Sequence, residues 1–168
     1  MDFSPNRILS YYLSNTEDIT LLEKLVFQNQ IWNDVDQGIA SEEDVIAFAK
    51  ANTEERLHNC IENIFHNWYM HFVEVNGAKA FVELLIKQGY RLYLLSNVND
   101  KFFYLQKHFP LLQNFPNYVI SCEEKIIKPN EDIYRRLLQK FNLQAHDCLF
   151  IDDKEENVLS AKNIGMQA

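Results

Sequence analysis

The feature that most constrains this chain is a change of hydrophobic rhythm near residue 77. From there on, three short apolar runs, RLYLL (91–95), YVISC (118–122) and CLFID (148–152), alternate with stretches whose apolar residues recur every three or four positions. Five-residue runs bounded by turn residues read as buried strands. The stretches carrying Phe81, Leu84 and Leu85, then Ile133, Leu137, Leu138 and Phe141, then Val158 and Ala161 read as helices, with another near Lys101–His108. Gly89 and Gly165 stand where the first and last of these helices should stop. Strands alternating with helices of this length fold as an α/β unit, a parallel, doubly wound sheet between helical layers.

Upstream the pattern is helical throughout. Ser4 and Pro5 have the character of an N-cap and a first helical residue ahead of Ile8, Leu9, Tyr12 and Leu13. Ile19, Leu22, Leu25 and Val26 mark a second helix after Thr16, and Ser41 with Asp44 forms a capping-box pattern ahead of Val45, Phe48 and Ala49. Leu57, Ile61, Ile64, Phe65 and Trp68 repeat at three and four, as in one long amphipathic helix. The expected organisation is a helical layer over residues 4–75 and an α/β core over residues 76–168.

Composition narrows the partners. A net charge of −8 argues against nucleic acid, whose phosphates demand an electropositive surface. A small phosphorylated molecule held with a divalent cation remains compatible, because the metal brings its own positive charge. Cys60, Cys122 and Cys148 have no metal-site spacing, and an odd count suits a reducing compartment. No apolar run reaches the ~18 residues needed to cross a bilayer, and MDFSPNR has neither a basic nor an apolar leader region. A cytoplasmic protein without a membrane partner is expected.

Chemistry-bearing residues follow each of the three runs. Ser96 and Asn97 come after the first, Lys128 and Pro129 just beyond the second, and Asp152 and Asp153 close the third. Ligands of open parallel sheets bind outside the carboxyl ends of the strands, so a hydroxyl, an ammonium and a carboxylate pair are expected around one crevice. The carboxylates can hold a hard cation such as Mg²⁺ through oxygen, while the hydroxyl and ammonium neutralise phosphoryl oxygens. Alone, a Ser-Asn pair is a turn and a lysine before proline a solvated loop residue. The aspartate pair says more, because adjacent carboxylates repel unless a cation relieves them. The order of the three groups makes the combination specific.

LLSNVN (94–99), KPNEDIY (128–134) and FIDDKEEN (150–157) resemble motifs two, three and four of the haloacid dehalogenase (HAD) superfamily. IWNDVDQGIASEE (31–43) resembles the small helical cap of its glucose-1-phosphatase-like branch. The resemblance implies a Rossmann-like three-layer core under a helical cap, and Mg²⁺-dependent hydrolysis of a small phosphorylated metabolite such as a sugar phosphate. It implies that Ser96 and Asn97 bind the phosphoryl group and that Lys128 neutralises it. Asp153, with Asp152 acting through water, would hold Mg²⁺. Glu123 falls on the loop before Lys128, and Trp32 and Asp36 are the cap residues expected nearest the substrate.

Two departures matter. Lys125 stands where relatives often have glycine. The family's nucleophile is an aspartate in an FDLGGVL-like segment on a first strand, and no residue here matches it; in relatives that segment stands immediately before the run resembling Asp2–Arg7. The sheet is therefore expected to lack its first strand, between 91–95 and 148–152, and its last, which in relatives begins at IGMQA. The chain by itself is expected to be inactive. The alternative is a catalytically inert binding or regulatory module on the same fold. A receiver domain with a comparable acid, hydroxyl and lysine set is excluded by order, since there the acid pair comes first. His58, His66 and His71, at spacings of 8 and 5, form no helical metal pair.

Overall fold

The structure, a computed structural model, describes residues 3–168; Met1 and Asp2, where the family resemblance starts, lie outside the described residues. Helix α1 (Pro5–Ser10) starts as its sequence dictates, with Ser4 Oγ accepting from the Arg7 N–H. Helix α2 (Thr16–Leu22) is capped one residue earlier than its pattern implied, by Asn15 Oδ1 on the Glu17 N–H at 2.8 Å. It runs into a π-type turn, Glu23–Phe27, which apolar spacing alone does not signal. Helix α3 (Gln30–Asp36) and helix α4 (Glu42–Ala51) follow, and both halves of the Ser41–Asp44 capping box are made. The long amphipathic stretch is α5 (His58–Asn67), with 3₁₀ turns at Glu55–Leu57 and Trp68–His71 tightening its ends.

These helices bury one face each in a common cluster. Ile8, Leu9, Leu22, Val26, Val45, Ile61, Ile64 and Phe65 are fully inaccessible there, and Trp32 and Trp68 fill its middle at 4.9 Å between rings. Each such side chain contributes roughly 1.5–3 kcal/mol of transfer free energy, so the helical layer has a core of its own.

The second half alternates as the sequence rhythm requires: α6 (Ala78–Lys87), β1 (Leu94–Ser96), α7 (Phe102–His108), β2 (Tyr118–Ile120), α8 (Ser121–Glu124), α9 (Glu131–Lys140) and α10 (Glu155–Asn163). Strands β1 and β2 pair in parallel, Leu94 opposite Tyr118 and Ser96 opposite Ile120. The strands are shorter than their apolar runs. Residues 91–93 lack a ladder, and Ser121 and Cys122 turn into α8.

The third run departs furthest from expectation. Residues 148–152 form a single parallel bridge, Leu149 to Gln167, made by Phe150 N–H on Gln167 O at 2.7 Å and Gln167 N–H on Cys148 O at 2.9 Å. Among the described residues nothing pairs with the other edge of 148–152, and no ladder joins it to β1. Among these residues the sheet is the β1–β2 pair, with the single 149–167 bridge standing apart from it across a gap that Lys128 spans. Phe150 still packs inward, with Leu95, Val119, Ile133, Tyr134 and Leu137, so one face of both halves shares a core.

Polar contacts fix the helical layer on the α/β half. Lys101 meets Glu42 at 3.0 Å, and the Glu42 carboxylate also accepts from Trp68 Nε1 at 2.9 Å. Gln37 Nε2 donates to Lys125 O at 2.6 Å, Lys125 Nζ donates to Gly38 O, and the buried Ser121 hydroxyl donates to Asp36 O. These last three bonds join the end of α3 to α8.

Candidate active site

The site is assembled at the carboxyl ends of β1 and of the 148–152 run. Ser96 is the last residue of β1, half-buried, and its hydroxyl has no hydrogen-bond partner among the described residues. Asn97 follows, and its carboxamide grips the backbone of Lys128 from both sides. Oδ1 accepts from Lys128 N–H at 2.8 Å, and Nδ2 donates to Lys128 O at 3.0 Å. The Lys128–Pro129 bond is cis. So held, the Lys128 side chain reaches across the gap in the sheet. Its ammonium donates to Leu95 O at 3.1 Å and to Asp152 Oδ2 at 2.6 Å.

Asp152 is saturated with donors. Besides Lys128, its Oδ1 accepts from Lys154 N–H at 3.0 Å and from Asn157 Nδ2 at 2.8 Å. Desolvation pushes its carboxyl upward, but the hydrogen bonds from Lys128, Asn157 and Lys154 outweigh that and hold it below the usual carboxylate range. Asn157 is itself placed by α10 and by Tyr134, whose hydroxyl donates to Asn157 O at 3.0 Å. Asp153 points the other way in chemical terms: it is exposed and makes no hydrogen bond among the described residues.

Ser96, Lys128 and the Asp152–Asp153 pair thus sit at neighbouring strand ends, the first two linked through the Leu95–Ser96 segment and the last two through the ion pair. Asn97 is also in this group, though its side chain is committed to shaping the Lys128 loop. Glu123 is exposed on α8 and makes no hydrogen bond or ion pair among the described residues, and Trp32 belongs to the helical core, so packing and not ligand contact accounts for it. Asp36, the last residue of α3, has its backbone carbonyl held by Ser121 Oγ, which also accepts from Val98 N–H in the loop after Ser96. Burial pushes its carboxyl up to about 7, with the Lys154 charge opposing. Shallow concavities along 16–29 and 74–83 contain none of these groups.

Three residues here escaped sequence reasoning. Ser121 accepts from Val98 N–H at 2.8 Å while its hydroxyl holds the helical layer, so it ties the loop after Ser96 to Asp36. Asn157 orients Asp152, and Asn99 is buried with an unpaired Nδ2 beside the same loop. Only Asn157 had a signal, five residues beyond Asp152 at the first turn of a helix.

The donor set fits a hard cation in part. Among the described residues no three His, Cys, Asp or Glu side chains converge. Mg²⁺, however, commonly takes only one or two protein carboxylates and completes its shell with water and substrate phosphate. Asp153 offers free oxygens, Asp152 stands behind it, and Asn157 Oδ1 is a buried acceptor without a donor.

A model of the haloacid dehalogenase-like hydrolases matches residues 19–165. The chain belongs to that family. Relatives include a glyceraldehyde 3-phosphate phosphatase of Pyrococcus abyssi, 29% identical over 110 residues, a match covering 61% of this chain and 44% of that enzyme. A sesquiterpene phosphatase of Aspergillus oryzae is 30% identical over 80 residues, covering 47% of this chain and 41% of that protein. The matches span less than half the length of both relatives. Among solved structures, a HAD family enzyme of Bacteroides thetaiotaomicron in complex with magnesium and inorganic phosphate superposes with a TM-score of 0.74 at 19% identity, over 99% of this chain and 85% of the other. A dehalogenase with an intermediate complex gives 0.74 at 17% identity, over 97% and 76%. These likenesses establish the HAD-like α/β fold, and no helix among the described residues is long and apolar enough to cross a membrane.

Proposed function

We propose that this chain carries the phosphoryl-binding and metal-holding part of a Mg²⁺-dependent phosphomonoesterase acting on a small phosphorylated metabolite. The observation that carries the reading is the Lys128 ammonium, anchored to Leu95 O and Asp152 at the strand ends, beside the unpartnered Ser96 hydroxyl. Fold membership alone does not define a reaction, so the reading rests on this geometry.

In this reading Ser96 Oγ donates to an equatorial phosphoryl oxygen, with the Asn97 backbone N–H beside it, since the Asn97 carboxamide is engaged with Lys128. Lys128 neutralises charge that grows on the phosphoryl group, and its fixed position means little reorganisation at the moment of reaction. Asp153, backed by Asp152, would hold Mg²⁺, which supplies charge neutralisation at a phosphoryl oxygen. Ser96 is not the nucleophile, because no base lies within hydrogen-bond reach of it and an unassisted hydroxyl is weak at neutral pH. The attacking carboxylate comes from an aspartate on a strand that fills the gap between β1 and 148–152. Attack forms an aspartyl-phosphate and expels the alcohol; water then cleaves the acyl-phosphate. Within the family the glucose-1-phosphatase-like branch, a cap over residues 4–75, a core over residues 76–168 and a sugar phosphate as substrate are the finer parts of this proposal. The matching relatives named as phosphatases support it.

The experiment needs three preparations: the 168-residue chain, the chain extended upstream by an FDLGGVL-bearing segment, and that extension with its aspartate changed to asparagine. Expected is Mg²⁺-dependent hydrolysis of phenyl phosphate by the second alone. Equal turnover by the first and second would place the nucleophile within these residues. No turnover by any of them would favour an inert binding module, the reading that the lack of a nucleophile motif in the 168 residues otherwise supports.

A further inference from the structure

Strands β1 and β2 end side by side, Ser96 opposite Ile120, and the chains that leave them part company. Leu94 N–H bonds to Asn117 O. In a parallel ladder every second amide turns toward the partner strand, so the next two in line are those of Ser96 and Val98. A ladder continued in this register would give Val98 N–H to the Ser121 carbonyl. That carbonyl is engaged elsewhere: Ser121 opens α8, and its O accepts from Lys125 N–H at 2.8 Å. The Ser121 side chain supplies the missing rung instead. Its Oγ accepts from Val98 N–H at 2.8 Å, and the residue is wholly inaccessible.

The hydroxyl has one proton and two acceptors within reach. Asp36 O, at the end of α3, is nearer than Val98 O at 3.2 Å, so the proton goes to Asp36 and the oxygen is left to accept from Val98. The residues on either side of Val98 are held as well. Asn97 grips the backbone of Lys128, and Asn99 Oδ1 accepts from Lys101 N–H at 3.1 Å. Val98 itself packs with Phe102 and Ile120. The turn after Ser96 is thus pinned at residues 97, 98 and 99, and the pin at 98 is a side chain from the neighbouring strand end. Without that hydroxyl, Val98 N–H would lose its partner in a buried place, which is unfavourable and would let the turn re-form around another bond.

We propose that Ser121 is a positioning residue for phosphoryl transfer. By holding Val98 N–H on the β2 side it keeps the preceding amide, that of Asn97, turned to the opposite side, where Leu95 O receives the Lys128 ammonium. Ser96 Oγ, Asn97 N–H and Lys128 Nζ then address one phosphoryl group from fixed directions, with little reorganisation left for the moment of reaction. Ser121 touches neither substrate nor metal and acts through the turn from Ser96 to Val98. The inference rests on the phosphatase reading and adds to it a residue outside the three motifs.

The test uses the strand-extended protein of the assay above with phenyl phosphate and Mg²⁺, at a temperature where circular dichroism shows each variant folded. Ser121→Ala is expected to lower kcat by about ten- to a hundredfold with KM changed by no more than about twofold, because a misdirected donor fails mainly at the charge that grows in the transition state. Ser121→Thr, which keeps the hydroxyl, is expected to retain most of kcat. On a Ser96→Ala background, Ser121→Ala should cost no more than about threefold, since groups that act as one unit are not additive. A residue that only props up the fold would lose the same factor on either background. That result would overturn the assignment, as would an unchanged kcat in Ser121→Ala, and both leave the phosphatase reading standing. Should alanine prevent folding, Ser121→Cys, a weaker acceptor, takes its place in the same comparison. Failure of the unmutated protein to hydrolyse the ester would overturn both.

Discussion

Lys128 and Asp152 are 10% and 8% exposed, so their ion pair is a buried one whose two halves depend on each other. Removing one partner strands the other, which typically costs about 3–5 kcal/mol. Lys128→Met is expected to destabilise the chain by that order, read from urea unfolding, and a loss under about 1 kcal/mol would show that the pair is solvated. Because the folded Asp152 carboxyl lies below its ordinary value, its contribution is fully present above pH ~4 and fades as pH falls through the folded value. Asp36 has the opposite sign. Its carboxyl, at about 7 in the folded state against 3.8 otherwise, favours the unfolded chain progressively as pH rises from about 4 to 7. Asp36→Asn should therefore raise the melting temperature at pH 8, with the gain shrinking toward pH 4. A gain independent of pH would mean that the Asp36 carboxyl is not buried in solution. At this scale the sequence was informative wherever a residue's place in chain order implied its place in space, as for Ser96, Lys128, Asp152 and Asp153 at strand ends. It was silent on Ser121 and on the bidentate grip of Asn97, because both depend on partners 23 to 85 residues away. For Trp32 it left packing and substrate contact both open, and the helical core claims that side chain.

Elements formed where local signals and packing agreed. The Ser4–Pro5 start of α1 and the Ser41–Asp44 box of α4 are local chemistry, and both are present as read. The π-type turn at 23–27 and the 3₁₀ ends of α5 are responses to the surrounding core, which periodicity does not encode. The junction between α3 and α8 adds a third kind of constraint. Gly38 has φ +72°, and a Cβ there would lie 2.5 Å from Lys125 Nζ and 2.7 Å from Cys122 O. A lysine side chain can move aside, but a backbone carbonyl on a short helix cannot do so without shifting α8. Lys125, itself at φ 60°, takes a left-handed turn where a glycine would be unstrained, and its side chain uses that turn to reach Gly38 O. Gly38→Ala is therefore expected to cost about 1–3 kcal/mol. Lys125→Gly should relieve the backbone strain while releasing the bond to Gly38. Proteolysis within residues 36–40 should then become faster in the alanine variant than in the parent. Equal cleavage rates would show that α3 stays docked without the close approach.

For the whole molecule, what matters is the gap in the sheet. On one side β1 presents Leu95, whose carbonyl is taken by Lys128 instead of a strand. On the other, the 148–152 run bonds only toward Gln167, leaving the Leu149 and Ile151 N–H groups without backbone partners among the described residues. Leu149 and Ile151 are 66% and 63% exposed, and α6 leaves Phe81 and Leu84 about half exposed. Exposed apolar side chains of this number, together with unpaired strand edges, are a template for association. A parallel strand in the gap would pair both edges and bury four or five apolar side chains, at roughly 1.5–3 kcal/mol each. The total, about 6–15 kcal/mol, rivals the entire stability of an ordinary domain. At about 2–4 °C per kcal/mol for a chain of this size, filling the gap should raise the melting temperature by at least about 12 °C. The 168-residue chain is accordingly expected to unfold early and to aggregate with rising concentration, while the FDLGGVL-extended chain remains monodisperse and melts cooperatively at the higher temperature. The extension carrying asparagine in place of its aspartate should be stabilised almost as much, because the gain comes from strand pairing and burial and not from the carboxylate. That third preparation separates architecture from chemistry: it should recover the fold and still lack turnover. If the unextended chain were to melt cooperatively at an ordinary midpoint, with no further gain from the added segment, the two half-sheets would have to close on each other in solution.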